Sequence, residues 1–190
     1  MGLTTTKDMF KKIISLALTA VFAMSTFTGC SEAQIASTSL IDGTYRAEFK
    51  DFDENGWKDF VEVTIVDSQL NEVVFDSISE NGDKLKSEDE SYKAEMEMMV
   101  GTYPAKYNKD LINQFIESGK VTGVDIVAGA TESTGNFKTL IIEAMTNAAK
   151  GNTEVEIVKK QTANSSLFFY LHIKYHDIIF ANIFTYNKPK

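Results

Sequence analysis

Apolar and polar residues alternate in two short stretches, 44–50 and 61–65, on either side of a polar turn at 51–56 that contains glycine. Such alternation is typical of a half-buried β-hairpin. Asp67 and Ser68 then predict a turn into a third strand over 72–78. Much further along the chain, Val155 and Ile157 indicate a short closing strand. The chain is therefore expected to place most of its strands in one early block.

Three stretches show the helical spacing of apolar residues. Ser87 and Glu90 form a capping-box pattern that predicts a helix up to Gly101, and its methionines, Met96, Met98 and Met99, are typical of core filling. The other two helices are expected over 109–117, ended by Gly119, and over 136–150, ended by Gly151. The fold class predicted is α+β, with an antiparallel sheet of about four to five strands packed with three helices.

The segment before the last helix contains the most informative chemistry. Lys120 to Val127 is rich in β-branched residues and predicts a strand, and Gly129 between two alanines predicts a tight turn. Three hydroxyl residues follow at the expected helix N-terminus: Thr131, Ser133 and Thr134. Free amides and the helix dipole make such a place suited to a phosphate, although Ser and Thr in this position are more often plain N-caps.

The sequence Asp125-Ile-Val-Ala-Gly-Ala-Thr131 resembles the flavinylation motif Asp-x-x-Ser/Thr-Gly-Ala-Thr of FMN-binding domains. The resemblance extends over about Ile41 to Val158 and is closest to the single-domain lipoproteins of that family, which include extracellular electron-transfer flavoproteins and pheromone-precursor lipoproteins. Its other segments are Asp42–Tyr45, Asn55–Trp57, Lys86–Tyr92, Pro104–Ala105 and Asn136–Lys138. Ala128 departs from the motif, because a serine or threonine is usual there.

The resemblance implies FMN as the cofactor, joined by a flavin transferase to Thr131 through a phosphoester bond. It also implies that Asp125 positions the loop or the transferase. From the residues themselves, Gly129 and Ala130 are expected to allow close approach of the ligand, and Ser133 and Thr134 to act as caps and phosphate contacts. Such a domain would be an electron carrier rather than an enzyme, with a membrane electron donor and an extracellular acceptor as partners.

The N-terminal residues predict export and lipid anchoring. Lys11 and Lys12 precede an apolar run that is too short to span a membrane, and small residues follow up to Cys30. Phe27-Thr28-Gly29-Cys30 resembles a bacterial lipobox, which implies lipidation of Cys30. The predicted organisation is a lipoprotein signal peptide over 1–29, a tether over 30–40 and an FMN-binding domain over 41–158, at the extracytoplasmic face of a cell membrane.

Residues 159–190 form an atypical C-terminal tail, rich in aromatic residues and without a clear period. It is expected to be either an extra strand or a non-native extension of the reading frame, and to be dispensable for flavin attachment. His172 and His176 have a metal-ligand spacing but lack the other ligands of a zinc motif, so no metal site is predicted. The net charge of −8 argues against nucleic acid as a partner.

Two functional classes remain open from the sequence. No histidine lies within 41–158 to activate a hydroxyl nucleophile, which argues against a hydrolase. The first class is the covalent flavoprotein that transfers electrons. The alternative is a non-catalytic surface lipoprotein without bound flavin, such as a peptide-pheromone precursor.

Overall fold

The computed structural model describes residues 39–160 of the 190 in the chain. The strands in this range are β1 (Gly43–Phe49), β2 (Trp57–Val66), β3 (Gln69–Ser79) and β4 (Glu156–Val158). The helices are α1 (Glu90–Val100), α2 (Pro104–Ser118) and α3 (Thr131–Lys150), with short 3-10 turns at Lys86–Glu88 and Val121–Gly123. The predicted signal peptide, Cys30, most of the tether, and the tail beyond Lys160 lie outside the described residues.

The four strands form one sheet in the order β3-β2-β1-β4. β1 and β2, and β2 and β3, pair antiparallel, as the alternation predicted. β4 instead runs parallel to β1, with Glu48 opposite Ile157, so the expectation of a wholly antiparallel sheet is wrong. All three helices lie between β3 and β4 in the chain, and a connection of that length allows the last strand to return in either direction. The fold is α+β, as predicted, with a mixed sheet.

The core lies between the inward face of the sheet and helices α2 and α3. Alternate residues of β1, β2 and β3 point into it, and α3 supplies most of the opposing surface. Phe137 on α3 meets the rings of Phe75 and Phe115 edge to face, at centroid distances of 5.2 and 6.1 Å. The residues that the three strands contribute to this hydrophobic core are Tyr45, Ala47, Phe49, Val61, Val63, Ile65, Val73 and Phe75. This packing fixes α3, and therefore its N-terminus, on the sheet.

The turn between β2 and β3 has the geometry that the sequence predicted. Asp67 and Ser68 have positive φ angles of 52° and 60°, as expected for a two-residue hairpin turn that matches the twist of its strands. Their amides donate to the carboxylate of Asp42, at 3.2 and 2.7 Å. Asp42 therefore compensates part of the cost of holding two side-chain-bearing residues in a left-handed conformation.

Helix α1 does not begin with the capping box predicted at Ser87 and Glu90. Its N-cap is Asp89, whose carboxylate accepts from the amides of Ser91 and Tyr92. The Ser87 hydroxyl instead donates to the buried carboxylate of Asp76 on β3. The box is wrong because Ser87 lies in the 3-10 turn and satisfies a buried acceptor, which leaves the adjacent aspartate to cap the helix.

We expect Asp89→Ala to fray α1 without unfolding the domain. Loss of an aspartate N-cap costs about 1 kcal/mol, which is roughly a fivefold change in the local opening equilibrium. No residue of α1 is buried, so the loss is expected to stay within the helix. Faster amide hydrogen exchange confined to α1 is the measurement. Glu95→Ala, in the middle of the same helix, is the control and should leave exchange nearly unchanged.

The cap also makes α1 sensitive to acid. A hydrogen bond from Lys84, followed by those from Ser91 and Tyr92, holds the pKa of Asp89 below its ordinary value of 3.8. The charged carboxylate therefore stabilises the folded helix above about pH 3.8, and this stabilisation is lost as the pH falls toward the folded pKa. An equal acid response of α1 in wild type and Asp89→Ala would contradict the assignment.

The methionines of α1 do not fill the core. Met98 and Met99 are 83% and 80% exposed, and only Met96 packs partly against the core. Because α1 lies at the edge of the domain, its apolar residues have no layer to cover them.

Within residues 39–160, no helix is both long enough and apolar enough to cross a membrane.

The strand predicted over Lys120 to Val127 does not form. After Gly119 ends α2 in a left-handed conformation, the chain makes a 3-10 turn at Val121–Gly123 and continues without regular structure. Val121 and Val124 are buried individually in the core rather than as members of a sheet. The Asp125 amide donates to Gln114 Oε1 at 2.6 Å, so a side chain satisfies this backbone donor instead of a neighbouring strand.

Candidate functional site

The N-terminus of α3 opens into a cleft of about 160 Å³. The residues from Gly129 to Ser133, here called the loop wall, form one part of its lining. Another part, here called the aromatic wall, consists of Lys86, Tyr92, Met96 and Tyr107. Asp53, Asn55, Asp59 and Asn136 complete the wall. The cleft is therefore assembled from the start of β2, the turn before it, the 3-10 turn at Lys86–Glu88 and three helices.

Thr131 is the first residue of α3, so the helix begins five residues before the position predicted from the sequence. The first intrahelical hydrogen bond described runs from the Thr134 amide to the Ala130 carbonyl, at 2.9 Å. The amides of Thr131, Glu132 and Ser133 precede it and have no acceptor within the helix. Thr131 is exposed and lines the cleft, so its hydroxyl lies beside free amides and the positive end of the dipole.

The other two hydroxyls of the predicted group are engaged with the protein. Thr134 is only 2% exposed, and its hydroxyl donates to the Ala130 carbonyl at 2.8 Å and accepts from the Val127 amide at 3.3 Å. Ser133 is half-buried and lines the cleft beside Tyr107. Neither side chain is the N-cap, because Ala130 occupies that position. The capping role predicted for Ser133 and Thr134 is therefore wrong, and Thr134 is too buried to contact a ligand.

Gly129 is required by its own backbone and by its neighbours. Its φ of 79° is left-handed, as the predicted tight turn needs. A Cβ at this position would lie 3.0 Å from both Val100 Cβ and Thr102 Cγ2. The missing side chain thus lets the loop pack against the connection between α1 and α2, while the glycine backbone remains part of the cleft wall.

Asp125 lies away from this cluster. It is exposed, follows the 3-10 turn at Val121–Gly123 and is not part of the cleft wall. Of the binding residues predicted from the sequence, the structure brings together Gly129, Ala130, Thr131 and Ser133, and leaves Asp125 outside and Thr134 beneath them. Cys30, the predicted lipidation site, lies outside the described residues.

Lys86 is a cleft residue that sequence reasoning did not select. It is only 7% exposed, and its ammonium lies 4.6 Å from the ring centroid of Tyr92 and 5.9 Å from that of Trp57. Its carboxylate partner is Asp53, at 3.9 Å between Nζ and Oδ2. That separation permits an ion pair but is too long for a hydrogen bond. The ammonium therefore lines the cleft without a close acceptor.

Two carboxylates, the half-buried Asp59 and the buried Asp76, hold the cleft walls in place. Asp59 on β2 accepts from Asn136 Nδ2 of α3 at 2.6 Å and from the Ser77 hydroxyl of β3 at 2.5 Å. Asp76 accepts from the hydroxyl and the amide of Ser87 and so fixes the segment that contains Lys86. Burial raises the pKa of Asp76 against the opposing effect of these hydrogen bonds. Both carboxylates thus position neighbouring cleft residues.

Burial also affects the phenol of Tyr107 in the cleft wall. Desolvation raises the pKa of Tyr107 well above its ordinary value, against the lowering effect of its hydrogen bond with Ser133. The phenol is therefore neutral at physiological pH and can donate or accept a hydrogen bond. It supplies a polar contact to the cleft without adding charge.

Segments that are distant in the sequence and share the family resemblance meet at this cleft. Asn55, Lys86, Tyr92 and Asn136 come from three of them and line it together with Thr131. An isolated lysine in a polar loop has no recognisable pattern. The only feature of the sequence that could have indicated Lys86 and Tyr92 as cleft residues is the resemblance of their segment to the family.

The arrangement suits a phosphate ester that also has an aromatic ring system. An accessible hydroxyl and free helix amides lie in the loop wall, and aromatic side chains with the Lys86 ammonium lie in the aromatic wall. The residues present therefore fit FMN held through Thr131. Among residues 39–160, no group of three or more histidine, cysteine or acidic residues is placed to hold a metal ion, and His172 and His176 lie outside this range.

Comparison with known proteins gives a relative and two solved structures. A 15 kDa lipoprotein of Treponema pallidum is 39% identical over 120 residues, which make up 63% of this chain and 84% of that protein. The solved structure of the CPE2226 protein of Clostridium perfringens has a TM-score of 0.59 and 30% identity, covering 64% of this chain and 99% of that one. A Clostridium thermocellum structure aligns with a TM-score of 0.36 and 24% identity, covering 56% of this chain and 91% of that one.

No protein-family model matches the chain. The Treponema protein shows the family, because this chain covers 84% of its length at 39% identity. A lipoprotein is a lipid-modified protein anchored at a membrane, which agrees with the lipobox pattern that ends at Cys30. The chain belongs to the family of the Treponema pallidum 15 kDa lipoprotein.

Proposed function

We propose that this lipoprotein is a flavoprotein of the extracytoplasmic membrane face, with FMN bound through a phosphoester to Thr131. The observation that supports this most strongly is the difference between the three hydroxyls of the motif. Thr131 is exposed at the first position of α3, whereas Ser133 is half-buried beside Tyr107 and Thr134 is buried. Thr131 is thus the hydroxyl that a flavin transferase can reach.

The surroundings of Thr131 favour the product of that reaction. A phosphodiester has a negative charge, and the amides at the start of α3 together with the helix dipole stabilise it. Asn136 and Asp59 fix the first turns of the helix on the sheet, so the amides are held in place before a ligand arrives. The aromatic wall of the cleft supplies Tyr92 and Tyr107 for contacts with the flavin ring.

Covalent attachment has a physical advantage outside the membrane. Free flavin is dilute there, and a cofactor that dissociates would be lost to the medium. A covalent link keeps the ring at an effective concentration on the order of mM for short flexible connections. FMN supplies reversible electron uptake when bound, and the protein positions it between a membrane electron donor and an extracellular acceptor.

The direct test is whether flavin stays with the denatured polypeptide. The protein should be produced in cells with a flavin transferase and in matched cells without one, then purified, denatured and passed through a desalting column. Flavin absorbance is expected to elute with the polypeptide only when the transferase was present. Colourless protein from cells that contain the transferase would contradict the proposal.

That contrary result would favour the second candidate, a surface lipoprotein without bound flavin. The observation in its favour is the similarity to the 15 kDa lipoprotein of Treponema pallidum. A pheromone-precursor role belongs to this class and would reside in the predicted signal peptide at 1–29.

We expect Cys30→Ala to separate the domain from the membrane. Without the thiol that accepts the lipid, the chain should be released to the medium or remain as the unprocessed precursor. Fractionation followed by immunoblotting distinguishes these outcomes from wild type, and Cys30 is the single cysteine of the chain, so the substitution affects no other thiol. Normal processing with retention in the membrane fraction would show that the anchor lies elsewhere.

A further inference from the structure

We infer that Lys86 sets the reduction potential of the flavin, by donating from its ammonium to the carbonyl-bearing edge of the ring. This inference rests on the proposed function and adds a specific role for the aromatic wall of the cleft. It makes Lys86 a residue that contacts the cofactor, in the same cleft as the attachment point at Thr131.

The first argument is the unusual environment of the ammonium. A lysine side chain that is only 7% exposed normally brings its ammonium to water or to a close acceptor, because removing the charge from water costs several kcal/mol. Here the only carboxylate described near it is that of Asp53, at 3.9 Å, and the other neighbours are the rings of Tyr92 and Trp57. Three N–H donors are thus available, and Lys86 lines the cleft.

The second argument is the shape of the surroundings. Tyr92 meets Trp57 edge to face, with ring centroids 6.2 Å apart, and Met96 lies in the same wall. These apolar surfaces suit a flat ring system and reduce the local dielectric, which strengthens the effect of a nearby charge. Asp89 caps α1 and Asp76 holds Ser87, so hydrogen bonds fix the residues that directly follow Lys86.

The consequence for the flavin follows from charge. Reduction by two electrons and one proton leaves the ring with one negative charge that the oxidised ring lacks. A cation beside the ring stabilises that charge and raises the potential, whereas the neighbouring carboxylate of Asp53 opposes it. The Lys86–Asp53 pair therefore contributes two effects of opposite sign, and both can be measured.

The experiment compares flavin-loaded wild type with Lys86→Met, reduced stepwise by dithionite in the presence of a reference dye. Met keeps much of the apolar stem and removes the charge, so the fold is expected to be retained. At a fixed solution potential, the ratio of reduced to oxidised flavin is expected to fall about tenfold, which is about 30 mV for a two-electron couple. Lys86→Arg should restore most of the ratio because it keeps a cation.

Two further variants make the outcome decisive. Lys93→Met is the matched control, because Lys93 of α1 lies over the ring of Tyr103 and outside the cleft wall. In this variant the ratio of reduced to oxidised flavin should stay within about twofold of wild type. Asp53→Asn keeps an oxygen for the amides of Asn55 and Trp57 while removing the opposing charge, so the ratio should rise.

An unchanged ratio of reduced to oxidised flavin in Lys86→Met would overturn the inference. An unchanged or lower ratio in Asp53→Asn would also overturn it. Either variant is sufficient for the test if the other fails to fold. Wild type without covalent flavin would instead overturn the proposed function, and the flavin content of each sample, measured first, distinguishes the two failures.

Discussion

Thr131→Ala is expected to abolish covalent flavin attachment while the domain stays folded. Thr131 is exposed, and no side-chain hydrogen bond from it is described within residues 39–160, so its removal should change the free energy of unfolding by no more than about 0.5 kcal/mol. The hydroxyl itself is indispensable, because it provides the oxygen of the ester bond. Flavin absorbance that stays with the denatured protein, relative to protein concentration, measures the loss.

Ser133→Ala is the matched control for this experiment. It removes a hydroxyl two residues away in the same helical turn. That hydroxyl is half-buried in the cleft wall beside Tyr107. Attachment is therefore expected to persist. Equal loss of flavin in both variants would mean that the first turn of α3 is needed as a structure and that Thr131 is not specifically the acceptor.

Phe137→Ala is expected to cause the largest loss of stability among single core substitutions on α3. Phe137 is fully buried and packs edge to face with both Phe75 of β3 and Phe115 of α2. Removing the ring leaves a cavity where the sheet and two helices meet, at a cost of about 3–5 kcal/mol. Because this packing positions the N-terminus of α3, flavin attachment should also decrease. Urea unfolding monitored by circular dichroism gives the free energy of unfolding.

Phe52→Ala is the corresponding control on the surface. Phe52 is partly exposed in the turn between β1 and β2 and contacts Lys58. Its loss should change the free energy of unfolding by about 0.5 kcal/mol or less. Similar losses in the two variants would contradict the assignment of Phe137 to the centre of the core.

The strands of this fold could be predicted where one face is buried and the other is not. In β1 and β2, buried residues such as Tyr45 and Val63 alternate with charged ones such as Glu48 and Glu62, and that period is visible in the chain. The direction of β4 was not visible, because a strand of three residues shows no preference between parallel and antiparallel neighbours.

Local composition misled the prediction before α3. The β-branched residues of 120–127 favour a strand by propensity, but Val121 and Val124 are buried one by one in the helical side of the core. The first turn of α3 contains threonine, serine and, soon after, Gly135, all poor helix formers, so its start could not be placed. Tertiary contacts, including the hydrogen bond between Asn136 and Asp59, determine where the helix begins.

The candidate site could be predicted in part for a similar reason. Thr131 and its loop stand together in the sequence and match a motif, so they were found. Lys86 is buried only because Trp57 and Tyr92 pack around it and Asp76 fixes the adjacent Ser87. A residue whose role depends on such long-range packing has no local pattern to reveal it.

The most direct test of the central claim is mass mapping of the flavin on the peptide that contains Thr131. Trypsin releases residues 121–138 as one peptide, which contains Thr131, Ser133 and Thr134. Fragmentation of this peptide from protein made with the flavin transferase is expected to place an FMN-sized addition on Thr131. The same addition on Ser133 or Thr134, or its persistence in Thr131→Ala, would contradict the account.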